Sequence, residues 1–332
     1  MKPSLSLPSN RRQEAKKRAL IYFVCGNPGI VEFYADFFSS LRALLDKSEQ
    51  DTAYDIYGRN LLGFHDEDHE PFGPGNEPYD LDGQIEGIWK DVAARQTEQG
   101  KPYDFVILMG HSVGAYIAVE VFARQSQNPK PDLHLQHGFL LFPTITWIQD
   151  SPSGRKVMPI KFLPTLERNL HRIARLLLFF LSASTLQYVW ENFLGFSTQA
   201  AASLAEWLKS RDGVWQAIHL GRSELRTILE ETWEEELWHA AMPEGGGDED
   251  KEQDVTPKFF MFYGKHDHWV ANHLRDEFIQ KRKESGHPGQ PRIAIDEGDI
   301  PHAFCTKQDS SLEIAQKVHK WIQEIDDGYV VV

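Results

Sequence analysis

The sequence predicts an α/β fold with a mostly parallel sheet and an inserted helical cap, on three observations. Short apolar runs ending in glycine or proline, "ALIYFVCG", "DFVILMG", "HLQHGFLLFP" and "KFFMFYG", have the unbroken hydrophobicity of strands buried on both faces. Between them, "VEFYADFFSSLRALLDKS" and "YDLDGQIEGIWKDVAARQT" repeat apolar residues at three and four positions, as amphipathic helices covering such a sheet do. The alternation then stops near residue 145 and resumes near 257. The intervening chain keeps helical spacing without a good strand and ends in "PEGGGDEDKEQD", an acidic loop expected to be mobile. These shifts divide the chain into a basic flexible leader (1–17), a first part of the core (18–144), a helical cap or lid with the acidic loop (145–256) and a second part of the core (257–332).

The 332 residues suit one large domain with an insertion, and a hydrophobic fraction of 41% is ample for its core. A net charge of -14 argues against a protein that neutralises phosphates, so no nucleic-acid partner is expected. Cys25 and Cys305 are too few for a disulfide framework and lack zinc-type spacing, which points to a reducing compartment. The N-terminal "MKPSLSLPSNRRQEAKKR" has neither the apolar run nor the cleavage site of a signal peptide, so secretion is not expected.

"LMGHSVGAY" lies where a strand, "DFVILM", meets a helix, "AYIAVEVFARQ". A serine on such a turn stands above the end of the sheet, and Gly110 and Gly114 are needed because side chains there would collide with the neighbouring strand and helix. Ser112 is therefore the candidate nucleophile. A serine hydroxyl needs a base and an orienting acid, and these follow in chain order. Asp267 lies in the loop after "KFFMFYG", and His302 in the loop after "PRIAID". His266, His268, Asp296 and Asp299 are rivals by proximity, and His111 is expected to pack beneath the turn. The oxyanion needs two donors, assigned to the backbone N–H of Val113 and that of Asn27 in "CGNPG", because Pro28 has none.

In order, "CGNPGIVEFYADFF", "GHSVGAYIAVEV", "LLFPTITWIQDSPSGRKV", "FYGKHDHWV" and "IPHAFC" resemble the lipid droplet-associated hydrolases of the α/β-hydrolase superfamily, from about residue 20 to about 325. The long phrases are far more specific than the serine turn. The resemblance implies a cofactor-free serine hydrolase of the lipid droplet surface and the endoplasmic reticulum membrane, on the cytosolic face. Its implied substrates are sterol esters or related neutral lipids, and its Ser, Asp and His fall on Ser112, Asp267 and His302. The loop "LLGFHDEDHEPFGPG" departs from the family pattern, which leaves its substrate contacts open.

"IARLLLFFLSASTLQYVW", the most apolar segment, is expected to form a lid hairpin against a lipid surface, with Arg172, Arg175 and Trp190 at the interface. Packing against the core and spanning a bilayer are the alternatives; the run is short for a span and interrupted by Ser182, Ser184, Thr185 and Gln187. "HDEDHE" invites a metal at His65 and His69, but an acidic surface loop is the commoner meaning and no metal is expected. Two readings besides a lipid esterase stay open: a droplet-remodelling or tethering protein with a vestigial site, and a thioesterase or peptidase. A long apolar pocket would favour lipid esters over the latter.

Overall fold

The computed structural model describes residues 1–49, 51–159, 164–239, 256–285 and 289–328. Among them seven strands form one sheet: β1 (Ser4–Leu7), β2 (Lys17–Val24), β3 (Thr52–Arg59), β4 (Phe105–His111), β5 (Leu135–Leu141), β6 (Phe259–Tyr263) and β7 (Arg292–Ile295). Their order is β1-β3-β2-β4-β5-β6-β7, and every pairing except β1 with β3 is parallel. Strands β4 and β6 are buried throughout, which is why they read as unbroken apolar runs. Strand β3 does not, because Asp55 interrupts it. That buried carboxylate is held by the Arg18 guanidinium at 2.6 Å, the Ser9 N–H at 2.8 Å and the Tyr103 hydroxyl at 3.1 Å.

Helix α1 (Ala35–Ser48) connects β2 to β3, α2 (Leu81–Ala93) connects β3 to β4, and α3 (Val113–Gln127) connects β4 to β5. Right-handed crossovers running in opposite directions from β2 put α1 on one face and α2 and α3 on the other. The direction reverses between β2 and β4, and the crevice beyond the carboxyl ends of strands at such a point is where open α/β sheets bind ligands. The loops bearing Asn27 and Ser112 leave β2 and β4 there.

Between β5 and β6 the chain forms α4 (Pro152–Val157), α5 (Pro164–Phe179), α6 (Ala183–Leu194), α7 (Thr198–Leu208), α8 (Gly213–Thr227) and α9 (Glu235–Trp238). Helix α10 (Asn272–Ser285) precedes β7, and α11 (Gln308–Asp326) packs against α1. The acidic stretch 243–254 lies outside the described residues. The polar break in the apolar segment has a local cause. Ser182 caps α6 by accepting from the Thr185 N–H at 3.0 Å, so α5 stops and the chain turns by 92°. Among the described residues no single helix is long and apolar enough to cross a membrane; α5 and α6 meet that test only as this bent pair.

One expectation is corrected. Residues 1–17 are not a flexible leader: Ser4–Leu7 pair with β3 in the register Ser4–Arg59 to Leu7–Ile56, and Leu5 and Leu7 pack on the core. "SLSL" alternates as an edge strand should, but four residues are too few to stand out beside the basic stretch that follows. Deleting residues 1–8 is expected to cost roughly 1–3 kcal/mol through the lost ladder and leucine burial. Thermal unfolding would read this as a midpoint lowered by a few degrees, whereas a merely solvated leader would leave the midpoint unchanged.

Candidate active site

Ser112 stands between β4 and α3 with φ 55° and ψ -125°, a conformation that costs a non-glycine residue about 1–3 kcal/mol. The turn persists because three backbones meet around it. A Cβ on Gly110 would lie 2.2 Å from the Gly114 carbonyl oxygen, and one on Gly114 would lie 2.3 Å from that of Val24. Strand β2, strand β4 and helix α3 therefore approach more closely than any side chain permits, and the Ser112 N–H is tied to the Leu141 carbonyl at 3.0 Å.

The structure brings Ser112, His302 and Asp267 together. His302 Nε2 lies 2.8 Å from Ser112 Oγ, and His302 Nδ1 lies 2.6 Å from Asp267 Oδ2. A carboxylate accepts only, so Nδ1 carries the proton and Nε2 is left to accept from the serine hydroxyl. Asp267 Oδ1 accepts from the Trp269 N–H at 2.8 Å. Burial alone would raise the Asp267 carboxyl, but its hydrogen bond and charge interaction with His302, helped by Trp269 and His268, hold it below its ordinary value. The rivals have other places. Asp296 accepts from the Ile300 N–H at 3.0 Å and shapes the loop leading to His302, while Asp299 and His266 are exposed.

A second chain of hydrogen bonds lies beneath the turn. The Gly26 N–H donates to the Tyr34 oxygen at 3.0 Å, the Tyr34 hydroxyl donates to His111 Nδ1 at 2.7 Å, and His111 Nε2–H donates to the His302 carbonyl at 2.8 Å. Burial, reinforced by His302, pushes His111 down to about 3, which keeps the ring neutral and able to accept from Tyr34. The segment "SPSG" supports the acid loop. Ser151 caps α4 through the Gly154 N–H, the Ser153 N–H reaches the His268 carbonyl at 2.8 Å, and Ser153 Oγ lies 2.9 Å from His268 Nδ1. Sequence reasoning missed these partners of Tyr34 and Ser153, since spacing carries no signal for contacts between distant segments.

Val113 is the first residue of α3, where a helix leaves its N–H without an intrahelical acceptor, and Asn27 lines the same cavity as Ser112. The Asn27 amide Nδ2 donates to the Ala217 carbonyl at 3.0 Å and to Glu224 Oε1 at 2.9 Å, both on cap helix α8. The cavity has a volume of about 820 Å³, with Ser112 and His302 on its floor and Leu170, Phe196, Leu204 and Ile218 of the inserted segment among its walls. Its lining is mostly apolar.

Away from this cavity, Asp66, His69 and Asp212 each bring one ligand-type atom within 4.8 Å of the others. Both carboxylates are already engaged. Asp66 accepts from the N–H groups of Arg211 and Asp212, and Asp212 from the Arg211 guanidinium at 2.7 Å and the Phe72 N–H at 3.2 Å. His65 turns elsewhere, with Nε2 3.1 Å from the Met1 carbonyl oxygen.

The parallel sheet, the serine turn at its switch point and the helical insertion define an α/β-hydrolase fold. Solved structures agree: a peroxisomal α/β-hydrolase from Saccharomyces cerevisiae matches with a TM-score of 0.59 at 14% identity, covering 99% of this chain and 83% of that one. A haloalkane dehalogenase loop variant from Bradyrhizobium elkanii matches with a TM-score of 0.54 at 11% identity, covering 98% and 99%. The model of the lipid droplet-associated hydrolase family matches residues 17–305, and the chain belongs to that family. Lipid droplet-associated hydrolase of Mus musculus is 26% identical over 94% of this chain and 87% of its own length, and that of Homo sapiens is 30% identical over 44% and 43%. The protein is thus a hydrolase of a lipid droplet-associated family.

Burial raises the Glu224 carboxyl from 4.5 to about 7, against the opposing bond from Asn27. Because the folded value lies above the unfolded one, the neutral carboxyl favours the fold fully below about pH 4.5, and this contribution is lost as pH rises through 7. The rise corresponds to about 3 kcal/mol when ionisation is complete. Glu224→Gln is therefore expected to gain stability over the parent between pH 5 and pH 8, by up to that amount. Denaturant unfolding at the two pH values checks it, and a difference independent of pH would contradict it.

Proposed function

We propose that the protein is a serine hydrolase of carboxylic lipid esters, acting on neutral lipids or sterol esters at the lipid droplet surface. The observation that carries this reading is the hydrogen-bonded series Ser112–His302–Asp267 on the floor of an apolar cavity. In this reading Ser112 attacks the ester carbonyl while His302 takes its proton, and Asp267 holds His302 in the required tautomer. The Asn27 and Val113 N–H groups stabilise the oxyanion. His302 returns the proton to the leaving alcohol, and water repeats the sequence to release the fatty acid, with no cofactor in any step. The mostly apolar lining supports lipid esters over peptides or small polar thioesters.

The same proposal gives the cap a lipid-surface contact. The carboxyl-terminal part of helix α5 is apolar on two sides: Leu170 lines the cavity and Ala174 and Leu178 pack on the core, while Leu176, Leu177, Phe179 and, just past the helix, Phe180 face outward, the two phenylalanines 77% exposed. Helix α6 adds exposed Tyr188, Phe193 and Leu194. A patch of this size is unfavourable in water and suits a droplet or membrane surface, with Arg172 and Arg175 exposed beside it. Trp190, expected at that interface, packs instead against Phe196 with ring centroids 5.7 Å apart. In this reading the cap rests on the droplet surface, and the cytosolic face of the endoplasmic reticulum membrane is proposed as a second location on the family resemblance alone. The exposed patch also favours a second reading, a droplet-remodelling or tethering protein in which hydrolysis is vestigial.

Treatment with a fluorophosphonate is expected to add one adduct to the intact mass of the parent and none to Ser112→Ala. Ester hydrolysis should fall by at least about 1000-fold in that variant. An unlabelled, folded parent in the presence of lipid would leave the tethering reading. For the surface contact, replacing Leu176, Leu177, Phe179 and Phe180 together by serine removes side chains each worth roughly 1.5–3 kcal/mol on burial. Flotation with triacylglycerol droplets coated by a phospholipid monolayer should fall at least tenfold. Undiminished flotation would refute the cap contact.

A further inference from the structure

One buried ionisable group in the cavity wall has no part in the chemistry described above. Glu224 lies on α8, is 6% exposed and lines the cavity, whose mostly apolar wall includes Leu225 and Phe196 and also carries Arg222 and Arg226 of the same helix. A carboxyl in such a wall costs stability relative to an apolar side chain. Its hydrogen-bond partner is the side chain of Asn27. The same Asn27 Nδ2 also donates to the Ala217 carbonyl, seven residues before Glu224. Residues seven apart share one face of a helix two turns along, so a single amide is clamped across two turns of the cap helix.

We propose that Glu224 is a positioning residue that fixes the loop after β2 to the cap, so that the Asn27 N–H is held where the oxyanion forms. This rests on the reading of Ser112 as nucleophile and Asn27 as oxyanion donor, and it deepens that reading by making the oxyanion site depend on the docked cap. An oxyanion donor works only within about 2.7–3.1 Å of the developing charge. A loop residue reaches that precision when its side chain is anchored, and a misplacement of about 1 Å can cost up to about 100-fold in rate. Glu224 also suits the task electrostatically. Burial raises the Glu224 carboxyl, which lessens the negative charge it places beside the oxyanion, and its oxygen accepts from Asn27 in either protonation state.

The test uses the full chain and a short, water-soluble p-nitrophenyl ester, with Glu224→Ala, Glu224→Gln, Asn27→Ala and the double alanine variant. Glu224→Ala and Asn27→Ala are each expected to lower kcat by about 10- to 100-fold with KM within about threefold of the parent. The double variant should be no slower than the slower single one, because both remove the same clamp. Glu224→Gln, which keeps an acceptor oxygen, should stay within about threefold of the parent. A parent-like kcat in Glu224→Ala, a loss confined to KM, or a Glu224→Gln as slow as the alanine variant would overturn the inference. If Glu224→Ala does not fold, Asn27→Ala decides, and a parent-like kcat there overturns it. A parent without Ser112-dependent turnover removes the hydrolase reading and this inference with it. Ser112-dependent turnover with an indifferent Glu224 removes the inference alone.

Discussion

The turn at Ser112 depends on three backbones meeting with no side chain between them. Strand β2, strand β4 and the first turn of α3 close to distances that only glycine tolerates, at Gly110 and Gly114, and the serine between them is left at positive φ. A conformation of that cost persists only where its surroundings over-determine it. Those surroundings are deeply buried: every residue of β4 is buried, and of the first nine residues of α3 all but Glu120 are. The strain at one residue is thus carried by the whole sheet, and the hydroxyl is presented at the point where the strand order reverses.

The loops that converge on this turn are held by contacts between distant parts of the chain. His302 arrives from the loop after β7, shaped by Asp296, and its carbonyl is held by His111 beneath the turn. Tyr34 links His111 to Gly26, so the loop after β2, the serine turn and the histidine loop share one buried hydrogen-bond chain. Asp267 is braced from outside by "SPSG", where a Cβ on Gly154 would lie 2.2 Å from the Ile148 carbonyl oxygen. Each loop is irregular by itself. Together they are tied by buried hydrogen bonds through Tyr34, His111 and Asp267, which are strong in a low-dielectric site.

The cap faces two environments with one set of helices. Helix α8 presents Ala217 and Glu224 to Asn27, while α5 stacks His171 on Trp215 with ring centroids 4.4 Å apart and turns Leu176, Leu177 and Phe179, with Phe180 just beyond it, away from the core. The inner face closes an apolar cavity above Ser112, and among the described residues nothing covers Leu176, Leu177, Phe179 and Phe180 on the outer face. The exposed apolar side chains at the carboxyl end of α5 are surface that water disfavours.

Read from the sequence, the α/β class, the parallel sheet and the family were legible, because strands buried on both faces and amphipathic helices leave periodic traces and "GNPG", "GHSVG" and "SPSGR" are local motifs. Ser112, Asp267 and His302 were nameable because the chain order of this fold places each after a particular strand. Strand β1 was not legible, since four alternating residues carry too little period, and β3 was masked by Asp55. The apolar run at 173–190 was expected to lie outward with core packing as the alternative, because apolar residues occupy both sides of the last turns of α5. Only the tertiary structure decided these points. It also decided the partnership of Asn27 with Glu224 and of Tyr34 with His111, because pairing between segments far apart in the chain depends on where the sheet and cap bring them, and no local pattern records that.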